Sequence, residues 1–289
     1  MLSLIALAVV AYLALVGCMY VAQRSFLYFP STTAASPAES GVSEMQVVEL
    51  EAGDGLTLRS WYRPAADGKP TIVYFHGNAG HVGYRGPRVR PYLDAGLGVL
   101  LVEYRGYGGN PGEPTEAGLY EDGRAAMRFL AAQGVGGRST ILYGESLGCG
   151  VAVQIAAEHA EQRRVAAVIV EAPLSSVTDV GAYHYPYLPV RWLLNDRFET
   201  RAEIAKIGAP LLVVHGTEDR IVPLRFGRSV FEAAAEPKEA LWIAGGGHED
   251  LERFGLHGAV FDFLSHHVSG MSHPSNGGRR QSPPAGPAH

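Results

Sequence analysis

The chain has few cysteines and no block of like charges, and each shortage excludes a class of protein. Its 289 residues include two cysteines, Cys18 and Cys149, which are too few for a disulfide framework. The 24 basic and 29 acidic residues give a net charge of -5 and form no long run of one sign, so a nucleic-acid partner is not expected. The sequence shows no internal repeat, and its length suits one α/β domain.

Charge is missing altogether from the start of the chain. Leu2 to Ala22 is a run of 21 uncharged residues, and about 20 such residues cross a bilayer as a helix. We therefore predict a transmembrane anchor over residues 1–24. A cleaved signal peptide is the alternative, but the segment lacks a basic start, and the run exceeds the usual apolar core of about 7–15 residues.

Two details of this segment bear on location. Leu15 to Cys18 is similar to the lipobox of bacterial lipoproteins, which would place a lipid on Cys18, although the missing basic start and the apolar residues that follow argue against it. Arg24 is the basic residue close to the run, and by the positive-inside rule it predicts a cytoplasmic catalytic domain. The expected product is a single-pass membrane protein.

Two segments of small and polar residues lie on either side of the part of the chain between them, one after the apolar run and one at the end of the sequence. They predict a linker over residues 31–43 and a disordered tail over residues 269–289, which contains His273 and His289. The catalytic domain is then expected at residues 44–268.

Within that domain, near-continuous apolar runs alternate with helical patterns. Such runs are typical of strands covered on both faces, and the alternation predicts a mostly parallel central sheet with helices on both faces. An Asp-Gly turn predicts an antiparallel pair at the start of the sheet. The predicted strands are 45–50, 56–62, 71–75, 98–104, 139–144, 165–172, 210–216 and 239–245, and the predicted helices are 116–132, 147–161 and 224–235.

Glycines surround one serine in the stretch LYGESLGCG. Ser146 lies in a G-x-S-x-G pattern that follows a predicted strand and opens a predicted helix, the context of a nucleophile elbow. Residues without side chains let the strand and the helix approach each other closely enough to hold the serine in a strained turn. The pattern predicts a nucleophilic Ser146, and the alternative is a glycine-rich helix entry that only packs.

A serine nucleophile needs a base, and the imidazole base needs an acceptor that fixes its tautomer. Asp219 follows the strand 210–216 and is the predicted acid, with the neighbouring Glu218 as the alternative. His248 follows the last strand on a glycine-rich loop and is the predicted base, with a surface or helix-capping histidine as the alternative. The order serine, acid, histidine suits this arrangement of strands.

Backbone N–H groups must hold the negative oxygen that forms during acyl transfer. The N–H groups of Leu147 and of Asn78, in the stretch VYFHGNAG, are the predicted pair. His76 is expected to orient its loop and His215 to pack at a strand end. No histidine has partners at metal-ligand spacing, so no metal site is predicted.

These stretches together resemble the α/β-hydrolase superfamily, in particular membrane-anchored abhydrolase-domain proteins related to the serine aminopeptidase, monoacylglycerol lipase and palmitoyl-protein thioesterase families. The resemblance spans residues 23 to 251 and includes QRSFLYFP, FHGNAG, LYGESLGCGVAVQIA, HGTEDRIVP and GGGHEDL. It implies the α/β-hydrolase fold with a short lid insertion, a triad of Ser146, Asp219 and His248, and an oxyanion hole at Asn78 and Leu147. Glu103 replaces the usual aspartate of that family, and a pairing with Arg105 is expected there.

The segment 177–200 is predicted to form the lid, with Tyr183, Tyr187 and Trp192 as candidate substrate-binding residues. An apolar lid near a membrane favours an acyl ester or thioester as the substrate, and the alternative is that these residues only cover the sheet edge. We expect no cofactor and a monomer. The predicted activity is a serine esterase or thioesterase. A serine peptidase, with Glu145 or Glu171 binding a peptide amino terminus, and a catalytically silent membrane-tethered module are the other hypotheses.

Overall fold

An eight-stranded, mostly parallel sheet forms the centre of the molecule in the computed structural model, which describes residues 2–162 and 164–271. The strands are β1 (Phe29–Pro30), β2 (Gln46–Glu51), β3 (Thr57–Arg63), β4 (Thr71–Phe75), β5 (Ala79–Gly80), β6 (Gly98–Val102), β7 (Thr140–Glu145), β8 (Ala167–Glu171), β9 (Leu211–Gly216) and β10 (Lys238–Ile243). The order in the large sheet is β10-β9-β8-β7-β4-β6-β3-β2, while β1 and β5 form a separate parallel pair.

The helices surround this sheet. They are α1 (Leu2–Leu27), α2 (Gly86–Asp94), α3 (Glu116–Ala132), α4 (Gly148–His159), α5 (Val177–His184), α6 (Val190–Leu193), α7 (Thr200–Glu203), α8 (Leu224–Ala233) and α9 (Leu256–His267). One apolar core contains side chains of α3, α4 and α8, and the other contains side chains of α2 and α9. Since both faces of the sheet are covered, its central strands are fully buried. The predicted fold class is confirmed.

The strand order determines where a site can form. Only β3 runs against its neighbours, as the Asp-Gly turn between β2 and β3 predicts, and the parallel strands β4, β6, β7, β8, β9 and β10 end at the same edge. From β4 the chain crosses first to β6 on one side and later to β7 on the other. Such a reversal opens a crevice beyond the carboxyl ends of the strands. Three of the predicted site loops follow β4, β7 and β9.

Helix α1 extends the predicted anchor from residue 24 to Leu27. Within the described residues, one helix, Ser3–Leu27, is long and apolar enough to cross a membrane, a property that it shares with signal sequences. After α1 the chain pairs as β1 with β5, next to the loop that follows β4. Residues 31–43 form turns and bends, and Val42 is buried in the core. Of the predicted tail, residues 272–289 with His273 and His289 lie outside the described residues.

Candidate active site

Ser146 lies at a sharp turn between β7 and α4. Its φ of +52° is in the left-handed region, which costs energy for a residue with a side chain. The turn is tight because a Cβ added to Gly144 would lie 2.5 Å from the Cα of Cys149, and one added to Gly148 would lie 2.1 Å from the carbonyl oxygen of Phe75. The glycines flanking Ser146 therefore allow the backbone contacts of a nucleophile elbow.

Three residues from distant loops form one hydrogen-bonded row. The Nε2 atom of His248 lies 3.0 Å from the Oγ of Ser146, and its Nδ1 atom lies 2.7 Å from the Oδ2 of Asp219. Asp219 follows β9, where its Oδ1 accepts hydrogen bonds from the N–H groups of Ile221 and Val222. Since Oδ1 is held by the loop, Oδ2 faces the imidazole. A donor at Nδ1 leaves Nε2 free to accept a proton from the serine.

The alternative acid, Glu218, is exposed, and its backbone N–H donates to the carbonyl of Gly246. Its neighbour Asp219 is buried beside the imidazole of His248. The structure therefore brings the predicted acid, and not the alternative, to the base.

The charges of this row shift the pKa values of both partners. Burial opposes ionisation of Asp219, but hydrogen bonds from His215 and His248 hold its pKa well below the ordinary value. Burial also disfavours the charged form of His248, yet the hydrogen bond to Asp219 and its negative charge raise the pKa of the imidazole above the ordinary 6.5. The imidazolium is thus stabilised by the carboxylate beside it.

His215 contributes more than packing at its strand end. Its fully buried Nε2 lies 2.7 Å from the carbonyl oxygen of Val222 and 3.2 Å from the Oδ2 of Asp219. The imidazole of His215 therefore contacts the same carboxylate oxygen as His248. The stretch HGTED contains this residue, but nothing in its pattern indicates that the ring contacts the aspartate.

The loop after β4 runs beside Ser146. A Cβ added to Gly77 would lie 3.5 Å from the Cβ of Ser146, so the neighbouring Asn78 is close to the serine. Asn78 and Leu147 both line the cavity that contains Ser146. Among the described residues, none accepts a hydrogen bond from the backbone N–H of Asn78 or of Leu147. Both donors are therefore available to a ligand.

The end of α1 holds this loop in place. The side-chain amide of Asn78 donates to the carbonyl of Leu27 over 2.8 Å, and the carbonyl of Asn78 accepts from the N–H of Phe29 over 2.9 Å. The hydroxyl of Tyr107 donates to the same carbonyl over 2.8 Å. The orientation of Asn78 thus depends on the segment that follows the N-terminal helix.

The expected pairing of Glu103 with Arg105 is wrong. Arg105 forms an ion pair with the buried Asp122 over 2.7 Å and a second with Asp54 over 2.6 Å. Glu103 instead accepts the N–H of Val82 over 3.0 Å. Arg105 lies in the turn that follows β6, and from there its side chain contacts Asp122 and Asp54 instead of Glu103.

Glu103 also contacts the histidine of the loop after β4. Its Oε1 lies 3.2 Å from the Nε2 of the fully buried His76, whose Nδ1 lies 2.7 Å from the carbonyl of Gly77. His76 therefore contacts its own loop and the carboxylate of Glu103.

A buried layer of charged side chains lies next to the elbow, and it was not predicted from the sequence. Arg85 pairs with Glu145 over 2.8 Å, and Arg88 pairs with Glu171. Tyr74 donates to Glu145 and Tyr143 to Glu171, over 2.9 and 2.7 Å. These six side chains come from α2, β4, β7, β8 and the turn before α2, and no local pattern connects them.

The two carboxyl groups in this layer titrate in opposite directions. Burial opposes ionisation of Glu145, but Arg85 and Arg88 lower its pKa to about 2. For Glu171, burial raises the pKa above its ordinary value because Arg88 only partly offsets it. The carbonyl of Glu171 also accepts the N–H of Ser146 over 2.8 Å. This layer therefore supports the strained serine from below.

A cavity of about 420 Å³ opens above Ser146, within the range of small-molecule sites. Its wall is mostly aliphatic and aromatic, and the segment predicted as a lid supplies part of it through α5 and α6. Tyr183, Tyr187 and Trp192 do not belong to its lining, and they are 45, 61 and 87% exposed. Tyr185 and Leu188, in the turn between α5 and α6, and Leu194, just after α6, line it instead.

Helix α1 supplies another part of the wall of this cavity, a contact that was not predicted from the sequence. The side chains that line it from α1 recur at helical spacing: Met19, Tyr20, Gln23, Phe26 and Leu27.

Within residues 2–162 and 164–271, no group of three or more metal-ligating side chains lies together.

Comparison with known proteins agrees with this architecture. Residues 70–202 match the family model described as alpha/beta hydrolase fold. The chain is 42% identical over 255 residues to the uncharacterized protein Rv2307c of Mycobacterium tuberculosis, covering 86% of this chain and 89% of that protein. It is 32% identical to protein bem46 of Schizosaccharomyces pombe over 221 residues, covering 72 and 73%.

Solved structures share the fold at lower identity. The esterase Pf2001 of Pyrococcus furiosus superposes with a TM-score of 0.66 at 20% identity, covering 84% of this chain and 99% of the esterase. The chain belongs to the α/β-hydrolase family, as the predicted resemblance indicated, and this membership supports hydrolase activity.

Proposed function

We propose that the protein is a serine hydrolase that cleaves a carboxylic ester or thioester through Ser146, His248 and Asp219. The observation that carries this proposal is the hydrogen-bonded row of serine, imidazole and carboxylate at the carboxyl edge of the sheet, with distances of 3.0 and 2.7 Å. A nucleophile within reach of a base, itself oriented by an acid, is the arrangement that acyl transfer requires.

The proposed cycle has two acyl-transfer steps. His248 accepts the proton of Ser146 while the serine oxygen attacks the substrate carbonyl, and the resulting oxyanion is held by the N–H groups of Asn78 and Leu147. His248 then gives that proton to the departing alcohol or thiol, which leaves an acyl-serine. Water attacks the acyl-serine with His248 as the base, and the carboxylic acid and free serine result.

The shape and chemistry of the cavity favour an acyl group over a peptide. The wall that faces Ser146 is mostly apolar, which suits a hydrocarbon chain. A peptidase that binds an amino terminus needs a free carboxylate, and Glu145 and Glu171 were the candidates. Both are buried beneath the elbow and paired with Arg85 and Arg88, so neither supports that alternative.

An active-site probe tests the proposal. A fluorophosphonate bonds to an activated serine with loss of fluoride, so the wild type is expected to label and Ser146→Ala is not. Turnover of p-nitrophenyl acetate is expected to fall about 1,000-fold or more in Ser146→Ala and in His248→Ala. Ser43→Ala and His266→Ala, which change exposed residues, are the matched controls. An unlabelled wild type, or equal labelling of Ser146→Ala, would contradict the proposal and favour a silent binding module.

We also propose that α1 is retained as a membrane anchor with the catalytic domain, residues 44–268, on the cytoplasmic side. Its contacts with the cavity support retention, because a cleaved signal peptide would leave one wall missing. Mass spectrometry of membrane-extracted protein is expected to find peptides from residues 2–27. Their absence from the mature protein would contradict retention.

A further inference from the structure

The lid runs alongside α1 instead of standing apart from it. The hydroxyl of Tyr12 donates to the carbonyl of Tyr187 over 2.8 Å. Eleven residues further along the helix, the side-chain oxygen of Gln23 accepts a hydrogen bond from the backbone N–H of Asn195 over 2.8 Å. Next to this pair, Arg24 bonds Asp196 over 2.9 Å. The lid segment from Tyr187 to Asp196 therefore runs parallel to the second half of the helix.

The contact between Tyr12 and Tyr187 determines how deep the lid would lie in a membrane. Twelve residues separate Tyr12 from Arg24, which is about 18 Å of helix at about 1.5 Å per residue. The apolar run ends at Ala22, and the hydrocarbon core is about 30 Å thick. If α1 spans that core, the segment around Tyr187 enters the adjoining leaflet.

The outer surface of the lid suits such an environment. Trp192 is 87% exposed and Tyr187 is 61% exposed, although both are large aromatic side chains. Aromatic residues of this kind collect at the membrane interface. The cation in this stretch, Arg191, is paired with Asp179 over 2.9 Å, which reduces the cost of its approach to lipid.

The cavity lies between these two elements. Met19, Gln23 and Leu27 of α1 line it together with Leu188 and Leu194 of the lid, and the buried Ser146 belongs to the same lining. A hydrocarbon chain that moves from the bilayer into this space exchanges one apolar environment for another, without crossing water.

We propose that α1 is a substrate-binding element as well as an anchor, and that the cavity takes the acyl chain of a membrane-resident ester or thioester directly from the bilayer, between α1 and the lid. This inference rests on the proposed function of Ser146. It distinguishes the protein from a hydrolase of water-soluble esters that is merely tethered to a membrane.

A bulky residue on the cavity side of α1 tests the role of the helix. In the full chain, reconstituted in lipid nanodiscs, Met19→Trp is expected to lower the ratio of kcat/KM for p-nitrophenyl dodecanoate to that for the acetate by about tenfold or more. Each buried methylene contributes about 0.8 kcal/mol, so displacing two of them already costs about tenfold. Val21→Trp, at a position 84% exposed on the same helix, is the matched control and is expected to leave the ratio unchanged.

A crosslink measures the same contact without relying on a rate. An alkyl fluorophosphonate with a diazirine at the end of a long chain bonds to Ser146 and, on irradiation, inserts into whatever surrounds the chain end. The expected product joins the end of the probe's alkyl chain to the peptide that contains residues 19–27. A probe with a two-carbon chain is the control, and it is not expected to reach α1.

The outcomes separate this inference from the proposed function. If the acetate is hydrolysed and Ser146 labels, but Met19→Trp leaves the ratio unchanged or the long probe crosslinks only elsewhere in the domain, the role of α1 is refuted while the serine hydrolase remains. If the wild type neither labels nor hydrolyses any ester, the proposed function fails first. If Met19→Trp loses activity through misfolding, the crosslink in the wild type decides.

Discussion

Gly148→Ala is the sharpest test of how the elbow is built. A Cβ at this position would lie 2.1 Å from the carbonyl oxygen of Phe75 and 2.7 Å from that of His76. Both contacts are with backbone at the end of β4, which cannot rotate away as a side chain would. The strand or the helix must therefore move.

The size of that movement determines the expected loss. Cβ contacts become ordinary at 3.4 Å, so the backbones must separate by about 1 Å, and a misplacement of about 1 Å costs about 100-fold in rate. The shift affects both proposed oxyanion donors, because Leu147 precedes Gly148 and Asn78 follows His76 by two residues. Overpacking of this kind also costs about 1–3 kcal/mol of unfolding free energy.

The measurement compares kcat/KM for p-nitrophenyl acetate with the free energy of unfolding in urea. Gly258→Ala in α9 is the matched control, because nothing lies within 4 Å of a Cβ added there. It is expected to keep full activity and to gain about 0.5–1 kcal/mol of stability, as alanine usually does against glycine in a helix. If Gly148→Ala kept activity within threefold of the wild type and the same stability, the close approach would not hold the site as we describe.

Three further results are expected. Because His248 must be neutral to accept a proton and its pKa is raised above 6.5, kcat/KM should fall as the pH falls, with a midpoint above 6.5. In Asp219→Asn that midpoint should move down and kcat should drop by about 10,000-fold; an unchanged pH profile would contradict the pairing. Arg105→Met leaves Asp122 buried without its cation, so urea unfolding should show a loss of about 3–5 kcal/mol. Even beside Arg105, burial raises the pKa of Asp122 to about 6, so the folded state prefers the protonated carboxyl. Without Arg105 the buried carboxylate is still less favourable, so the loss of stability should grow as the pH rises and the carboxyl ionises. A loss that does not change with pH would refute this account. Brominated lipids should quench tryptophan fluorescence in the wild type and much less in Trp192→Phe, and equal quenching would place Trp192 outside the bilayer.

Much of the fold and the position of the candidate nucleophile could be predicted because the signals are local. The runs 71–75 and 139–144 coincide closely with β4 and β7, and Ser146 follows β7 where the glycine pattern indicates. Parallel strands end at one edge, so order alone brings Asp219 and His248 to the same place. These inferences needed no knowledge of side-chain directions.

The residues that could not be predicted depend on distant packing. Tyr183, Tyr187 and Trp192 were chosen for their chemistry, but they are exposed on the outside of the segment, and other side chains of that segment line the cavity. Arg88 meets Glu171 across 83 residues of sequence, so no spacing indicates the pair. The lining of the cavity by α1 could not be predicted either. In a helix that is apolar on all sides, no sequence pattern separates a lipid-facing side from a cavity-facing side.

The two hydrogen bonds between Asn78 and the residues at 27 and 29 have a practical consequence for biochemists who wish to work with a soluble fragment. Deleting residues 1–30 would improve handling in aqueous buffer and would also remove both bonds, together with the partner strand of β5. The trimmed enzyme would then keep its serine but hold a proposed oxyanion donor loosely. Rates measured on such a fragment describe the fragment, and inhibitor screens should use the intact chain in detergent or lipid.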